Sequence, residues 1–484
     1  MSEKQKISES LVRALARRLR AQLIETHISW VLLTDGLAYK VKKPVRLPFL
    51  DYATLTRRKR LCAEEVRVNQ AWAPSLYLGV ARITGSAAAP EVDGSGPVLE
   101  YAVRMRRFAD GALFSERLAA GQLRPGDVDA LAALLAAAHE GAPVRSAPLG
   151  RAATPHRRAL TALEGARALL SRSQQEHLRH WLDEGALALA PQWRQRRRTG
   201  RVRECHGDLH LGNAVELDGR VAAFDAIDFD PALRWIDVAE DAAFPAMDFA
   251  ARGRPDYGWR FLNAWMDATG EQEAAGVLRY AMVYRALVRA QVEYLRAGRC
   301  TQAAAYAGAA LGGSRPAPPR LVITHGLPGS GKTFQSQRLL EQQGAIRVRS
   351  DVERKRLFGL GALESSHARG LAIYSGDTTE RTYERLFALA RAILAGGFTA
   401  VIDAAFLRRR ERDAARELAR ECGVPFEILA CEAPVAVLHR RLAARVGDAS
   451  EADAVVLGRL ASSMEALAPE ERNQVRPSER RRRA

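Results

Sequence analysis

His206-Gly207-Asp208-Leu209-His210-Leu211-Gly212-Asn213 is the stretch from which the first part of this chain is read. An aspartate stands five residues before an asparagine, in a loop that a glycine opens. Moving a phosphoryl group onto a hydroxyl needs a carboxylate to orient the hydroxyl and take its proton. It also needs ligands for Mg²⁺ and a cation on the phosphates that stay behind. Asp208 suits the first task and Asn213 the second. Further along, Val221-Ala222-Ala223-Phe224 reads as a hydrophobic strand after an Asp218-Gly219 turn, and Asp225 ends it. That places a second metal-binding carboxylate beside the loop. Asp228 competes with Asp225 for this role, and the position of Asp225 directly after the strand favours it.

A second stretch speaks for another fold. Gly326-Leu327-Pro328-Gly329-Ser330-Gly331-Lys332-Thr333 follows the apolar run Leu321-Val322-Ile323 and opens a helical pattern. Strand, glycine-rich turn and helix are the context a P-loop requires. Gly326, Gly329, Ser330 and Gly331 let backbone N–H groups face phosphates at a helix N-terminus. Lys332 is expected to reach the β- and γ-phosphates, and Thr333 to ligate Mg²⁺. Asp403, closing the apolar run Ala400-Val401-Ile402, is the expected carboxylate of the metal shell. Ala404 stands where ATP-hydrolysing motors carry a water-activating glutamate.

Between the two lies Gly312-Gly313-Ser314-Arg315-Pro316-Ala317-Pro318-Pro319, flexible then stiff, which reads as a linker. The expected division is therefore residues 1–312, a linker at 313–319, a second domain at 320–475 and a basic tail at 476–484. In the first domain the spacing of Leu11, Leu15, Leu19 and Leu23 predicts a helix from Ser8 to Glu25. Ile28–Leu33 and Ala38–Lys42 flank an Asp35-Gly36 turn and read as a hairpin. A helix is expected from about Thr54 to Ala73, then strands near Tyr77–Ile83 and Val98–Arg104, then mostly helix. In the second domain, strands at Leu321–Thr324, Ile346–Arg349, Ala400–Ala404 and Pro425–Cys431 alternate with helices near Lys332, Thr378, Arg408 and Pro434. That alternation implies a parallel sheet. The fold class is thus α+β followed by α/β.

A length of 484 residues suits more than one domain, and 47% hydrophobic with 27% charged residues is ordinary for a globular enzyme. No apolar run is long enough to span a bilayer, and the polar start does not read as a secretory signal. Cys62, Cys205, Cys300, Cys422 and Cys431 form no Cys-x-x-Cys pair and no metal-like cluster. They are expected to be reduced thiols of a cytoplasmic protein. A net charge of +17 raises nucleic acid as a partner. The excess is almost all arginine in an alanine-rich chain, which coding bias produces without a ligand. The run Arg480–Arg483 reads as a solvated end. Lysines are few, and Lys40, Lys42 and Lys332 stand where phosphate contacts are expected.

The His206 loop, with Asp208 and Asn213 at the interval of a kinase catalytic loop, resembles the aminoglycoside phosphotransferase branch of kinase-like enzymes. Phe224–Asp230 and Arg234-Trp235-Ile236-Asp237 resemble the same branch, and the likeness extends over most of residues 25–310. It implies a two-lobed protein-kinase-like domain that uses ATP and Mg²⁺. It also implies that Lys40 pairs with the α/β-phosphates and that Glu65 (or Glu64) holds that lysine. Lys42 shares a strand face with Lys40, so both remain open. Asp237, Asp241 and Asp248 lie on one helical face, where they are read either as receiving a cationic acceptor or as cap and solvent-facing acids.

The second domain resembles small P-loop kinases of the adenylate-kinase-like group. Asp351 ends the second strand, in the crevice where an acceptor hydroxyl would give up its proton. Asp351 with Arg354 is similar to the acceptor motif of polynucleotide 5′-kinases, and Arg354 is expected to hold an anionic acceptor group. Arg440, Arg441 and Arg445 precede Gly447-Asp448 and look like a lid, with Arg445 expected to act on the transferring phosphoryl group. The function these features imply is transfer of the γ-phosphate of ATP, at two sites, to hydroxyls of small molecules. The alternatives are a polynucleotide 5′-hydroxyl kinase in the P-loop half, or an ATP-gated binding protein.

Overall fold

The computed structural model describes residues 3–47, 50–145, 154–371, 373–445 and 447–476. The arginine run at 480–483 lies outside the described residues. The chain divides into two compact units, one of residues 1–158, 194–245 and 292–298, the other of 159–193, 246–291 and 299–484. This division by packing runs elsewhere than the break in sequence at 313–319, which follows the helix Thr301–Gly313.

The first unit is built on an antiparallel sheet. Its strands lie in the order Gln22–Glu25, Ser29–Leu33, Leu37–Lys42, Val98–Arg106, Tyr77–Gly85 and Pro90–Val92. Asp35 and Gly36 form the turn between the second and third, closed by Thr34 N–H donating to the Leu37 carbonyl at 2.8 Å. Leu37–Lys42 is thus an interior strand, paired on both edges. Trp30, Leu32, Val41, Ala81, Ile83 and Ala102 pack on Leu11, Val12 and Leu15 of the N-terminal helix. A second core joins Cys62 of the helix Leu55–Asn69 to Tyr77, Val103, Val215, Leu217 and Ala222.

The single helix expected over Ser8–Glu25 is corrected. Helix covers Glu3–Arg18, Arg20 takes a left-handed φ of +51°, and Gln22–Glu25 is an edge strand on Ser29–Leu33. Leu19 and Leu23 still pack on the same core. A spacing of four residues is even, so it serves a strand face as well as a helix face.

In the second unit the strands Ala345–Arg349, Thr399–Asp403, Leu321–His325 and Phe426–Ala430 lie side by side, all parallel. The helices Lys332–Gln343, Gly376–Ala395, Arg409–Glu421 and Val435–Ala443 connect or follow them. Beyond the expected elements, Pro255–Thr269 packs within this unit: Asn263 takes the backbone N–H of Arg347 at 2.7 Å and donates to the Ala345 carbonyl at 2.9 Å. Residues 474–476 extend the sheet, since Ile428 N–H donates to the Gln474 carbonyl and Arg476 N–H to that of Ile428, each at 2.9 Å.

Candidate functional site

The hairpin Ala214–Leu217/Arg220–Ala223 pairs Ala214 with Ala223, and Phe224 N–H continues the ladder onto the Asn213 carbonyl at 2.9 Å. The chain on either side of the hairpin therefore leaves from one end, which brings Asn213 and Asp225 to the same place. Asn213 Nδ2 donates to the Asp208 carbonyl at 3.0 Å, closing the loop on itself. Asp208 is partly exposed, its carboxylate 3.8 Å from His210 Nε2. Gly207 has φ +83°, and a Cβ there would sit 2.7 Å from the Leu233 carbonyl oxygen, so only glycine passes.

Asp241 anchors this loop. Its carboxylate is fully buried and accepts from Gly207 N–H at 2.9 Å, His206 N–H at 3.2 Å and His139 Nε2 at 3.0 Å. Burial alone would raise its carboxyl, but the His139 bond and charge outweigh that and hold it below the usual value. The acceptor-facing and solvent-facing readings of Asp237, Asp241 and Asp248 are corrected accordingly, while the cap reading holds for Asp237. Asp237 is held by Arg196 at 2.7 and 2.8 Å and caps Ala239 N–H, while Asp248 is buried against Arg252 and Tyr306. Arg252 is the i+4 neighbour of Asp248, whereas Arg196 and Tyr306 lie far away in sequence, where a helical-face count cannot find them.

Lys40 Nζ lies 2.9 Å from Glu65 Oε1 and 2.5 Å from Asp225 Oδ1. Its side chain is 15% exposed and that of Asp225 46%, so this pair reaches solvent. Asp225 adopts φ +61°, a strained conformation for a side-chain-bearing residue. Tyr77 accepts its N–H at 3.0 Å and Asn69 Oδ1 accepts that of Ala226 at 2.8 Å. Asn69 was not anticipated, though it lies one turn after Glu65 on the same helical face.

Lys42 is corrected as a phosphate contact. It is 1% exposed and donates to Glu65 Oε2 at 2.6 Å, Asp228 Oδ2 at 2.7 Å and Tyr52 at 3.3 Å. Asp228 is likewise buried, and burial raises its carboxyl despite Lys42. Glu64 turns the other way, to Arg67 and Arg234.

In the second unit the P-loop joins Leu321–His325 to Lys332–Gln343, with Gly326, Gly329 and Gly331 at φ +145°, +82° and +100°. A Cβ on Gly326 would lie 2.2 Å from the Cys431 carbonyl oxygen. Lys332 Nζ donates to the carbonyls of Gly326 and Leu327 at 2.9 and 3.0 Å. Burial lowers its pKa, while the charges of Asp403 and Asp351 raise it and that of Arg445 adds to the lowering. Ser336 Oγ ties the Thr333 carbonyl (3.1 Å) to Asp403 Oδ2 (3.4 Å), placing the expected metal carboxylate behind the threonine.

Ser330 Oγ is buried without a hydrogen-bond partner among the described residues. An orphaned hydroxyl inside a ring of left-handed glycines fits a bound phosphate. Arg445 is partly exposed, 3.6 Å from Asp448, and Arg441 donates to the Gly329 carbonyl at 2.9 Å. Arg354 is more enclosed than expected. Its Nη1 donates to the Ile373 carbonyl (3.1 Å) and Thr379 Oγ1 (3.2 Å), and the guanidinium lies 5.2 Å from the Tyr374 ring centre. Arg347 and Arg349 went unnoticed in the sequence, because nothing local distinguishes them from the chain's many arginines. They contact Asp267 at 3.5 and 3.9 Å.

The first unit thus gathers Lys40, Glu65 and Asp225, and the second sets a P-loop on a parallel sheet. A family model described as AAA domain matches residues 321–467. "Uncharacterized protein Rv2004c" of Mycobacterium tuberculosis and "Uncharacterized protein Mb2027c" of Mycobacterium bovis are each 30% identical over 450 residues, which is 90% of this chain and 89% of theirs. The chain belongs to the family of these mycobacterial proteins. Among solved structures, a choline kinase from Cryptosporidium parvum is 10% identical, with 63% of this chain and 93% of that chain covered and a TM-score of 0.39. A sugar kinase from Janibacter sp. is 24% identical over 32% of this chain and 82% of its own, with a TM-score of 0.25.

Proposed function

We propose that this protein transfers the γ-phosphate of ATP to alcohol groups of small molecules, at two separate sites. The observation that carries this reading is Lys40, whose ammonium is held by Glu65 and Asp225 together. It joins a phosphate-binding cation to a metal-binding carboxylate. In the first unit Asp208 takes the proton of the acceptor hydroxyl, and Asn213 and Asp225 would hold Mg²⁺. In the P-loop unit the backbone of Gly326–Gly331, with Ser330 and Lys332, would hold the phosphates, and Thr333 with Asp403 the metal. Asp351 there takes the proton, Arg445 faces the transferring group, and Arg354 steadies the acceptor side. Mg²⁺, when bound, neutralises charge on the phosphate oxygens.

The test uses γ-labelled ATP and a metabolite extract with Asp208→Ala and Lys332→Ala variants of the full chain. Each variant is expected to lose its own set of labelled products and keep the other. Loss of every product in both variants would sink two independent sites. ATP binding with no labelled product from any fraction would leave a binding protein instead.

A further inference from the structure

Two lysines reach one glutamate in the first unit, and only one of them is free to serve the phosphates. Lys42 Nζ has three protons to donate and three acceptors around it: Glu65 Oε2, Asp228 Oδ2 and Tyr52 Oη. With its side chain 1% exposed, no donor is left for a ligand. Lys40, two residues earlier on the same strand face, takes the other oxygen of Glu65 and turns to the solvent-reaching Asp225. The carboxylate of Glu65 is thus divided, one oxygen to each lysine.

The three groups on Lys42 come from separate pieces of chain. Glu65 belongs to the helix Leu55–Asn69. Asp228 belongs to the segment that carries Asp225. Tyr52 follows the short strand Leu50–Asp51. Lys42 itself ends an interior strand, its backbone paired with Ser29. Its ammonium therefore pins the glutamate helix and the Asp225 segment to the rigid sheet.

Resting on the kinase reading of this unit, we propose that Lys42 is a positioning residue that holds Glu65 and the Asp225 segment in register for Lys40 before any nucleotide binds. A site assembled in advance spends none of its binding free energy on ordering those parts. The helix of Glu65 then needs no activating event to swing into place.

The experiment uses the full chain with Lys332→Ala, which silences the P-loop. Lys42→Met alone leaves buried carboxylates uncompensated, which costs folding stability, so the decisive variant is Lys42→Met with Asp228→Asn. Hydrogen exchange is followed for the helix Leu55–Asn69 and, as an internal reference, for the strand Val98–Arg106. Mg-ATP affinity is measured by titration. In the parent, helix protection is expected to be the same with and without Mg-ATP. In the double variant it should fall about tenfold without nucleotide while the reference strand holds, and partly return with Mg-ATP. Affinity should weaken only by the factor by which the assembled fraction falls, since only that fraction binds. Parent-like helix exchange in the folded variant overturns the proposal, as does an equal loss in helix and reference strand with affinity unchanged. A parent that binds no Mg-ATP would instead overturn the kinase reading of the unit, and the exchange data alone would still decide the role of Lys42.

Discussion

Replacing Glu65 by glutamine keeps the shape of the side chain and removes the charge that Lys40 and Lys42 share. Burial alone would raise the Glu65 carboxyl. The attraction of Lys40 and Lys42, with their hydrogen bonds, outweighs it and holds the group at about 2, against an ordinary 4.5. At about 1.4 kcal/mol per pH unit, that difference corresponds to about 3 kcal/mol of folding stability. The same attraction raises both lysines, so it is counted once. Removing one member of a buried ion pair costs about 3–5 kcal/mol in other proteins, which agrees.

The sign follows from the folded value lying below the unfolded one. The contribution is complete above pH 4.5 and drains away as pH falls towards 2. The assay is urea-dependent hydrogen exchange on peptides of the helix Leu55–Asn69. It reads this unit without requiring the whole chain to unfold in one step. Glu65→Gln is expected to lose about 3 kcal/mol at pH 7 and to show a weaker loss than wild type between pH 4.5 and 3. A loss below about 1 kcal/mol at pH 7, or an unchanged acid dependence, would refute the ion-pair account.

Three further outcomes are expected. Gly326→Ala puts a methyl group 2.2 Å from the Cys431 carbonyl in a left-handed conformation; thermal stability should fall by about 1–3 kcal/mol and P-loop nucleotide affinity should collapse, measured by titration in a Lys40→Ala background. Arg412→Met takes from Glu471, fully buried, its nearest cation at 2.7 Å and leaves it Arg416 at 3.5 Å; a loss of about 3 kcal/mol is expected, and exchange of the strand Phe426–Ala430 should rise as residues 474–476 detach, whereas Arg412→Met with Glu471→Leu should recover most of it. Asp241→Asn weakens the grip on Gly207 and His206; about 2 kcal/mol should be lost and turnover at the first site should drop, while Mg-ATP affinity stays within about threefold, since Lys40 and Asp225 are held separately.

How much of the site was legible depended on how far apart its parts lie in the chain. Asp208 with Asn213, and Gly326 through Thr333, act through short backbone turns, so spacing alone displayed them. The parallel sheet of the second unit was equally plain, because each strand is a separate apolar run. Glu64 and Glu65 could not be told apart, being neighbours about a quarter-turn from each other on one helix. Lys40 and Lys42 project from the same face of one strand. Only the packing that buries Tyr52 and Asp228 beneath Lys42 separates them. The N-terminal helix was overextended because an even leucine spacing fits both periods.

The sequence by itself determined the His206–Asn213 loop, the glycine-rich turn after Leu321–His325 and the carboxylates that follow nearby strands, since each rests on residues close together in the chain. Tertiary structure alone decided which lysine meets solvent, that Asp241 grips the His206–Asn213 loop, and that Arg354 is half engaged by its own unit. Those outcomes depend on which distant side chain shares a buried space, where a charge must find a partner or be expelled.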